Sequence, residues 1–335
     1  VNDQSLPTAD DPVLGVVAIG RNEGERLRRC LESVRQQAAA VVYVDSGSTD
    51  GSVAMAQSLG VIVVSLDMRQ PFTAARARNE GLARLLALAP QVNRVQFVDG
   101  DCEVVAGWLP AALAFLQAQP AVGVVCGRRR ERHPQASIYN LMCDLEWDGP
   151  KGEVKACGGD ALFRVAALTQ VGGYRPDLIA GEEPELCVRL RAAGWTVWRL
   201  DEEMTLHDAA MHRLGQWWSR SKRCGYAYAQ GAHLHGAPPE RHKVAEARRG
   251  WVWGAALPLA IMATAALAGS GPALALGALY PLQVARLALK GRRSRRENWL
   301  LAGFTVVGKF AELSGQLRFH RDRLRQRSSG LIEYK

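Results

Sequence analysis

The sequence predicts an α/β fold, a mostly parallel sheet flanked by helices, followed by membrane-associated helices at its C-terminal end. Two observations carry this expectation. Through about residue 200, short β-branched runs alternate with stretches of helical apolar spacing, the pattern of a parallel sheet covered by helices. From Trp251 to Ala285 there is then no charged side chain at all, which marks a change of solvent.

The elements follow in order. Val13–Ile19 is a β-branched run ending at Gly20, and Glu25–Gln37 places Leu27, Leu31 and Val34 at helical spacing. Val41–Val44 reads as a strand, Ser52–Leu59 as a helix closed by Gly60, and Val61–Ser65 as a third strand. Ala74–Ala89 reads as a helix and Arg94–Val98 as a strand running into Asp99-Gly100-Asp101. A helix and a strand are expected within Trp108–Val125, a helix over Pro134–Trp147, another over Glu185–Ala193, and a strand over Thr196–Leu200. The simplest division is a lead-in at 1–12, expected to be disordered, a catalytic domain at 13–245, an apolar hairpin at 246–290, and an amphipathic helix with a basic tail at 291–335.

Composition narrows the class. The chain has 335 residues, 48% of them hydrophobic, enough to bury a sizeable core. Its formal charge of +9 admits a nucleic-acid partner, and the run Arg128, Arg129, Arg130, Arg132 suits phosphates. Much of the excess nevertheless flanks the apolar stretch, at Arg248, Arg249, Lys290, Arg292, Arg293, Arg295 and Arg296, where cations favour an anionic membrane surface. No nucleic acid is therefore expected as partner. Seven cysteines without a Cys-x-x-Cys pair read as reduced, mostly buried thiols.

Open parallel sheets bind ligands beyond the carboxyl ends of their strands, so acids there are candidates for chemistry. Asp45 ends a strand and Asp50 follows in a Gly-rich turn; carboxylates there suit the donors of a ribose or a pyrimidine, and Asp50 equally suits capping the helix from Ser52. Asn22 and Glu23 suit either a ligand or the helix that carries Leu27. Arg78 is a permanent cation able to hold a diphosphate or lie on a solvated helix face. In an extended segment Asp99 and Asp101 project to one side, a hard-oxygen pair fitting Mg²⁺ or Mn²⁺ shared with phosphates, although Asp and Gly also simply make turns. Glu182, Glu183 and Glu185 surround Pro184, read as the first residue of a helix, where acids also complement the dipole.

The ordered set Ile19-Gly20-Arg21-Asn22-Glu23, Asp45 to Gly51, Ala77-Arg78-Asn79-Glu80-Gly81, Asp99-Gly100-Asp101 and Gly181 to Leu186 resembles glycosyltransferase family 2, over roughly residues 13–225. The resemblance implies a GT-A fold, with Rossmann-like nucleotide binding by Ile19 to Glu23, Asp45, Asp50, Arg78 and Asp99. It also implies Asp101 as direct metal ligand, Asp99 on the ribose or the ion, and Glu183 as general base. Glu183 stands where Asp is more usual, and Glu182 is the substitute. Cys157-Gly158-Gly159-Asp160 resembles the family's acceptor-side loop, placing Gly158, Gly159 and Asp160 near the acceptor, and His207 resembles a late metal or diphosphate ligand. The implied activity is inverting, metal-dependent transfer of a sugar from a nucleoside diphosphate donor to a hydroxyl acceptor. Close alternatives are a polyprenyl-phosphate glycosyltransferase, needing little base help, a nucleotidyltransferase, and a non-catalytic membrane scaffold.

Trp251–Ala268 and Ala273–Leu289 are short candidate spans around the turn Gly269-Ser270-Gly271-Pro272, or else a buried hairpin. Trp299–Phe319 reads as an interfacial amphipathic helix. Basic residues at the outer ends predict attachment at the cytoplasmic face of the plasma membrane, where a lipid-linked or exported cell-envelope acceptor would be found.

Overall fold

The computed structural model describes residues 11–326, so the expected lead-in, but for residues 11 and 12, and the end of the basic tail lie outside the described residues. The strands are β1 Leu14–Gly20, β2 Ala40–Asp45, β3 Ile62–Ser65, β4 Arg94–Asp99, β5 Cys102–Val104, β6 Val122–Glu131, β7 Gly152–Glu153, β8 Ala161–Arg164 and β9 Thr196–His207. The first helices are α1 Glu25–Val34, α2 Ser52–Ser58, α3 Ala74–Leu88, α4 Trp108–Ala118, α5 Ile138–Glu146, α6 Val165–Gln170 and α7 Glu182–Ala192. They are followed by α8 Leu214–His235, α9 Val244–Trp251, a π-helical turn at Val252–Ala256, α10 Leu257–Ala268, α11 Ser270–Gly277, α12 Leu279–Lys290 and α13 Arg295–Leu324.

One sheet runs in the order β3-β2-β1-β4-β8-β6-β9-β5, with β7 pairing β9. Its first four strands are parallel, as the alternation predicts, and β1, β2 and β4 are buried on both faces, as a helix-covered parallel sheet requires. Strand β8 lies antiparallel between β4 and β6 and makes the sheet mixed. Helix α1 buries Leu27, Cys30, Leu31 and Val34, one stripe of a 3.6-residue period. Helix α3 starts at Thr73, whose hydroxyl accepts the Arg76 N–H at 3.1 Å.

Register places the functional loops. Ile19 pairs with both Val44 and Asp99, and Gly20 with Asp45, so the ends of β1, β2 and β4 form one edge. Two lengths differ from expectation. Strand β9 continues to His207, and β6 continues through Arg128 to Glu131, because these distal halves pair with each other, Glu131 against His207. Helix α7 begins at Glu182, two residues before Pro184.

The chain divides into two compact units. The first comprises residues up to His133, Cys143–Asp177 and Glu182–Ala209; the second comprises Pro134–Met142, Leu178–Gly181 and the chain from Ala210 onward. The boundary thus differs from the expected one at 245, since α8 packs with the C-terminal helices. In the second unit Ile179, Tyr226, Ala229 and Phe319 form a small core, and Trp217 meets Phe304 edge to face at 4.9 Å.

Two helical stretches in this unit, Val244–Ala268 and Ser270–Lys290, are long and apolar enough to cross a membrane; their most apolar windows are 0% and 11% buried within the protein. Helix α13, which contains the expected interfacial stretch Trp299–Phe319, buries Val306, Ala311, Glu312, Gln316 and Phe319 and leaves Trp299, Val307 and Leu317 exposed. A Cβ on Gly225 of α8 would overlap the Glu312 backbone, and one on Gly315 of α13 would overlap Lys222, so these glycines permit close backbone approach.

Candidate active site

The site develops in the first unit, along the edge formed by β1, β2 and β4. Asp45 is 3% exposed. Its Oδ1 accepts the Tyr43 hydroxyl at 2.9 Å, and Oδ2 accepts Gly47 N–H at 3.0 Å and Ser48 N–H at 2.9 Å, which shapes the Gly-rich loop. Asn22 ties the loops after β1 and β2 together. Its N–H donates to Ser48 Oγ at 2.8 Å and its Oδ1 accepts Thr49 N–H at 2.7 Å, rather than capping α1. Glu23 pairs with Arg26 at 2.7 Å. Asp50 accepts both the hydroxyl and the N–H of Ser52, at 2.6 and 3.1 Å, the capping-type role considered for it. Ile19 contributes its carbonyl, which accepts Gly100 N–H at 2.7 Å.

Two arginines, Arg78 buried and Arg129 half-buried, organise the centre. Arg78 is 2% exposed, with Nη2 on Asp99 at 2.9 Å and Nη1 on Glu182 and Glu183 at 3.0 and 2.9 Å. Both terminal nitrogens are therefore on carboxylates, so Arg78 positions acids here instead of standing open to a diphosphate. Arg129 sits 3.2 Å from Asp99 and 2.8 Å from Asp160. Asp160 is fully buried, accepting Asp99 N–H at 2.9 Å and the Thr205 hydroxyl at 2.7 Å. It anchors the end of β4 rather than facing an acceptor.

Gly158 leaves open space where a Cβ would be. Gly159 is the tight position: a Cβ would lie 2.7 Å from Arg78 Nη2, 2.9 Å from Asp99 Oδ2 and 3.2 Å from Glu183 Oε1. Only glycine lets this loop lie against all three groups. Glu183, 14% exposed, is the more open of the adjacent glutamates; Glu182 is 4% exposed. Burial and the neighbouring Glu182 charge push the Glu183 carboxyl up to about 7, partly offset by Arg78. A carboxylate titrating there accepts a proton from a hydroxyl far better than an ordinary exposed one.

The other end is built by Asp101 and His207. The expected extended Asp99-Gly100-Asp101 segment is corrected, because Gly100 and Asp101 form a turn between β4 and β5. Asp99 consequently joins the arginine network, while Asp101 faces His207 Nε2 at 3.4 Å. His207 Nδ1 lies 3.3 Å from Glu131 Oε2. If that nitrogen carries the proton donated to Glu131, the Nε2 lone pair and a carboxylate oxygen confront each other. A cation between them resolves this arrangement. Carboxylate and imidazole suit Mn²⁺ or Mg²⁺, and a carboxylate on the far ring nitrogen is the usual support of a ligating histidine. Asp101, Cys102 and His207 offer atoms that all lie within 4.8 Å of one another.

Arg129, Glu131 and Trp147 join the site although the sequence gives none of them a role there. The basic run does not form a phosphate patch: Arg128 binds Asp144 and Asp148 at 3.2 and 3.0 Å, Arg129 enters the centre, Arg130 pairs with Glu203 at 2.7 Å, and Arg132 pairs with Glu103. The strand lacks strict alternation because its register with β9 shifts around Arg128. Glu131 was hidden inside the run, and Trp147, beside His207, had no local motif. The signal available is that so many arginines directly after a predicted strand need acidic partners.

With this geometry, known proteins can be compared. Residues 16–159 match the family Glycosyl transferase family 2. The chain is 28% identical over 194 residues to the succinoglycan biosynthesis protein ExoA of Rhizobium meliloti, covering 54% of this chain and 58% of that one. It is 29% identical over 238 residues to a pre-mycofactocin glycosyltransferase of Mycobacterium tuberculosis, covering 66% and 47%. These matches therefore span about half to three-fifths of the relatives' length. Among solved structures, a mannosyltransferase from Pyrobaculum calidifontis in complex with GDP-Man and Mn²⁺ superposes with a TM-score of 0.62 at 21% identity, covering 91% of this chain and 87% of that one. The sheet and its helices define a GT-A fold. Within it, residues 16–159 match a glycosyltransferase family 2 domain.

Proposed function

We propose that this protein is a glycosyltransferase that moves a sugar, with inversion, from a nucleoside diphosphate sugar to a hydroxyl acceptor, using Glu183 as general base. The observation that carries this reading is Glu183 itself, titrating at about 7, 2.9 Å from Arg78 and bordered by the Cβ-free Gly159. The acceptor hydroxyl proton passes to the Glu183 carboxylate as its oxygen bonds to the anomeric carbon. The bond from that carbon to the diphosphate oxygen breaks, and the nucleoside diphosphate departs with the electron pair. Arg78 holds the carboxylate in place, and Glu182 raises its basicity. The loops of Ile19 to Glu23 and Asp45 to Asp50 receive the nucleoside. Asp101 and His207 would hold Mn²⁺ or Mg²⁺, which when bound supplies positive charge to the leaving diphosphate.

For the acceptor we propose a cell-envelope glycan, lipid-linked or exported. Support comes from the succinoglycan relative and from an O-antigen chain rhamnosyltransferase of Salmonella typhimurium, 22% identical over 205 residues. The exposed Leu259, Met262, Leu267, Leu274 and Leu282 favour insertion of the Val244–Ala268 and Ser270–Lys290 stretches into a bilayer. Their flanking arginines and lysines favour ends that lie at an anionic cytoplasmic leaflet. Extraction of the full-length protein from membranes by detergent, but not by high salt, is expected; recovery in the soluble fraction would overturn it.

The reaction is tested by incubating purified protein with uridine, guanosine and thymidine diphosphate sugars, with Mn²⁺, Mg²⁺ or chelator, and measuring release of nucleoside diphosphate. Metal-dependent turnover of one donor is expected. Binding of none of them would remove the proposal.

A further inference from the structure

Trp147 lies just beyond α5, on a segment that the sequence leaves without a role. Its ring meets the His207 imidazole edge to face, with centroids 4.7 Å apart. The Arg129 guanidinium carbon stands 5.5 Å from the centre of the same indole. One side chain thus touches both the imidazole beside Asp101 and the arginine that holds Asp99 and Asp160.

The segment bearing it is clamped from the sheet. Arg128 of β6 holds Asp144 at 3.2 Å and Asp148 at 3.0 Å, on either side of Trp147. Arg199 of β9 donates to the Trp147 carbonyl at 2.6 Å. Space filling alone does not call for two arginines tying down one exposed-edge turn. They fix where the indole sits, and the indole leaves the His207 ring few orientations. Glu131 can hold only Nδ1, which leaves the ring free to swing about that contact; a packed aromatic face removes that freedom.

We propose that Trp147, held by Arg128 and Arg199, is a positioning residue that aims His207 Nε2 toward Asp101 and so sets divalent-metal affinity. This rests on the assignment of Asp101 and His207 as metal donors. Losing the support of a ligating histidine typically weakens metal binding about 10- to 100-fold.

The test is Mn²⁺ binding to the full-length protein, measured by the electron paramagnetic resonance of free Mn²⁺ in the absence of donor. Folding of each variant is checked by circular dichroism. Trp147→Leu is expected to weaken Mn²⁺ binding about tenfold, while Trp147→Phe, which keeps an aromatic face, stays within about threefold of wild type. Arg128→Gln leaves the indole in place but loosens its segment, and is expected to weaken binding severalfold; it serves equally if the Trp147 variants do not fold. Leu and Phe variants of equal affinity, or wild-type affinity in Arg128→Gln, would overturn the inference. His207→Ala separates the two levels. If it binds Mn²⁺ like wild type, the metal assignment itself fails, and this inference with it; if it weakens binding while Trp147→Leu does not, only the role of Trp147 fails.

Discussion

The two ends of the site handle charge in opposite ways. At the α7 end, Glu182 and Glu183 lie side by side, largely buried, and share the single guanidinium of Arg78, which is itself shared with Asp99. Negative charge exceeds positive there, so one carboxyl keeps its proton up to about pH 7. At the β9 end, acids bracket an imidazole on both its nitrogens, Asp101 on one side and Glu131 on the other. That arrangement brings a carboxylate and an imidazole together as the donor set proposed for a divalent cation. In the proposed reaction the same residue type serves as base or ligand according to whether its neighbour is another buried carboxylate beside an arginine or a histidine ring.

The largest expected effect separates the ends. Glu183→Gln should lower kcat about 100- to 10,000-fold, the range for losing a general base, with nucleotide-sugar affinity little changed. Substantial remaining activity would instead favour a phosphate nucleophile, as in the polyprenyl-phosphate alternative. Stability should move the other way. Because folding raises this carboxyl from the ordinary range to about 7, the native state binds the extra proton. The group's contribution therefore falls as pH rises from about 4.5 toward 7, so the Gln variant should have a Tm no lower than wild type at pH 8. A clear drop in Tm at pH 8 would contradict the assigned environment.

Asp101→Ala probes the other end. About a 100-fold loss of turnover is expected, with loss of the difference between Mn²⁺ and chelator. Equal metal dependence in this variant and wild type would remove Asp101 from the metal end. The pH profile sharpens the contrast further. Wild-type kcat should rise about tenfold per pH unit below 7 and level off above it, as the carboxyl deprotonates. Replacing Glu182 with Gln removes the neighbouring charge, so the midpoint should shift to lower pH; an unmoved midpoint would leave burial and the Asp99 charge as the causes.

The smallest effect concerns the second unit and not the chemistry. Gly315→Leu forces a side chain against Lys222 and Tyr226 of α8, and is expected to cost about 1–3 kcal/mol as overpacking. Thermal unfolding would report it, and an unchanged Tm would mean that the two helices separate without penalty.

How much could be seen in advance depended on the range of the interactions. The alternation of strands and helices, the acids at the ends of β2 and β4, and the glutamates opening α7 were legible, because each is written within a few consecutive residues. The capping-type contacts of Asp50 with Ser52 are likewise local. The arginine run suits phosphates in the sequence because charge there carries no partner. Asp144, Asp148, Asp160 and Glu203 reach those arginines only across the sheet and its connections. The separation of Asp99 from Asp101 followed from a turn at Gly100, where an extended segment was equally compatible with the sequence.

By itself, then, the sequence determined the class of fold, the order of its elements and the residues available for chemistry, since periodicity and turn composition act over one or two helical turns. The tertiary structure decided which carboxylates meet. It gave Glu183 its elevated pKa through burial beside Glu182, set Asp101 against His207 through the pairing of β5 with β9, and turned Arg78, Arg129 and Trp147 inward. The physical reason is that electrostatic coupling depends on distance and solvent exclusion, and both are properties of the packed sheet rather than of neighbours in the chain.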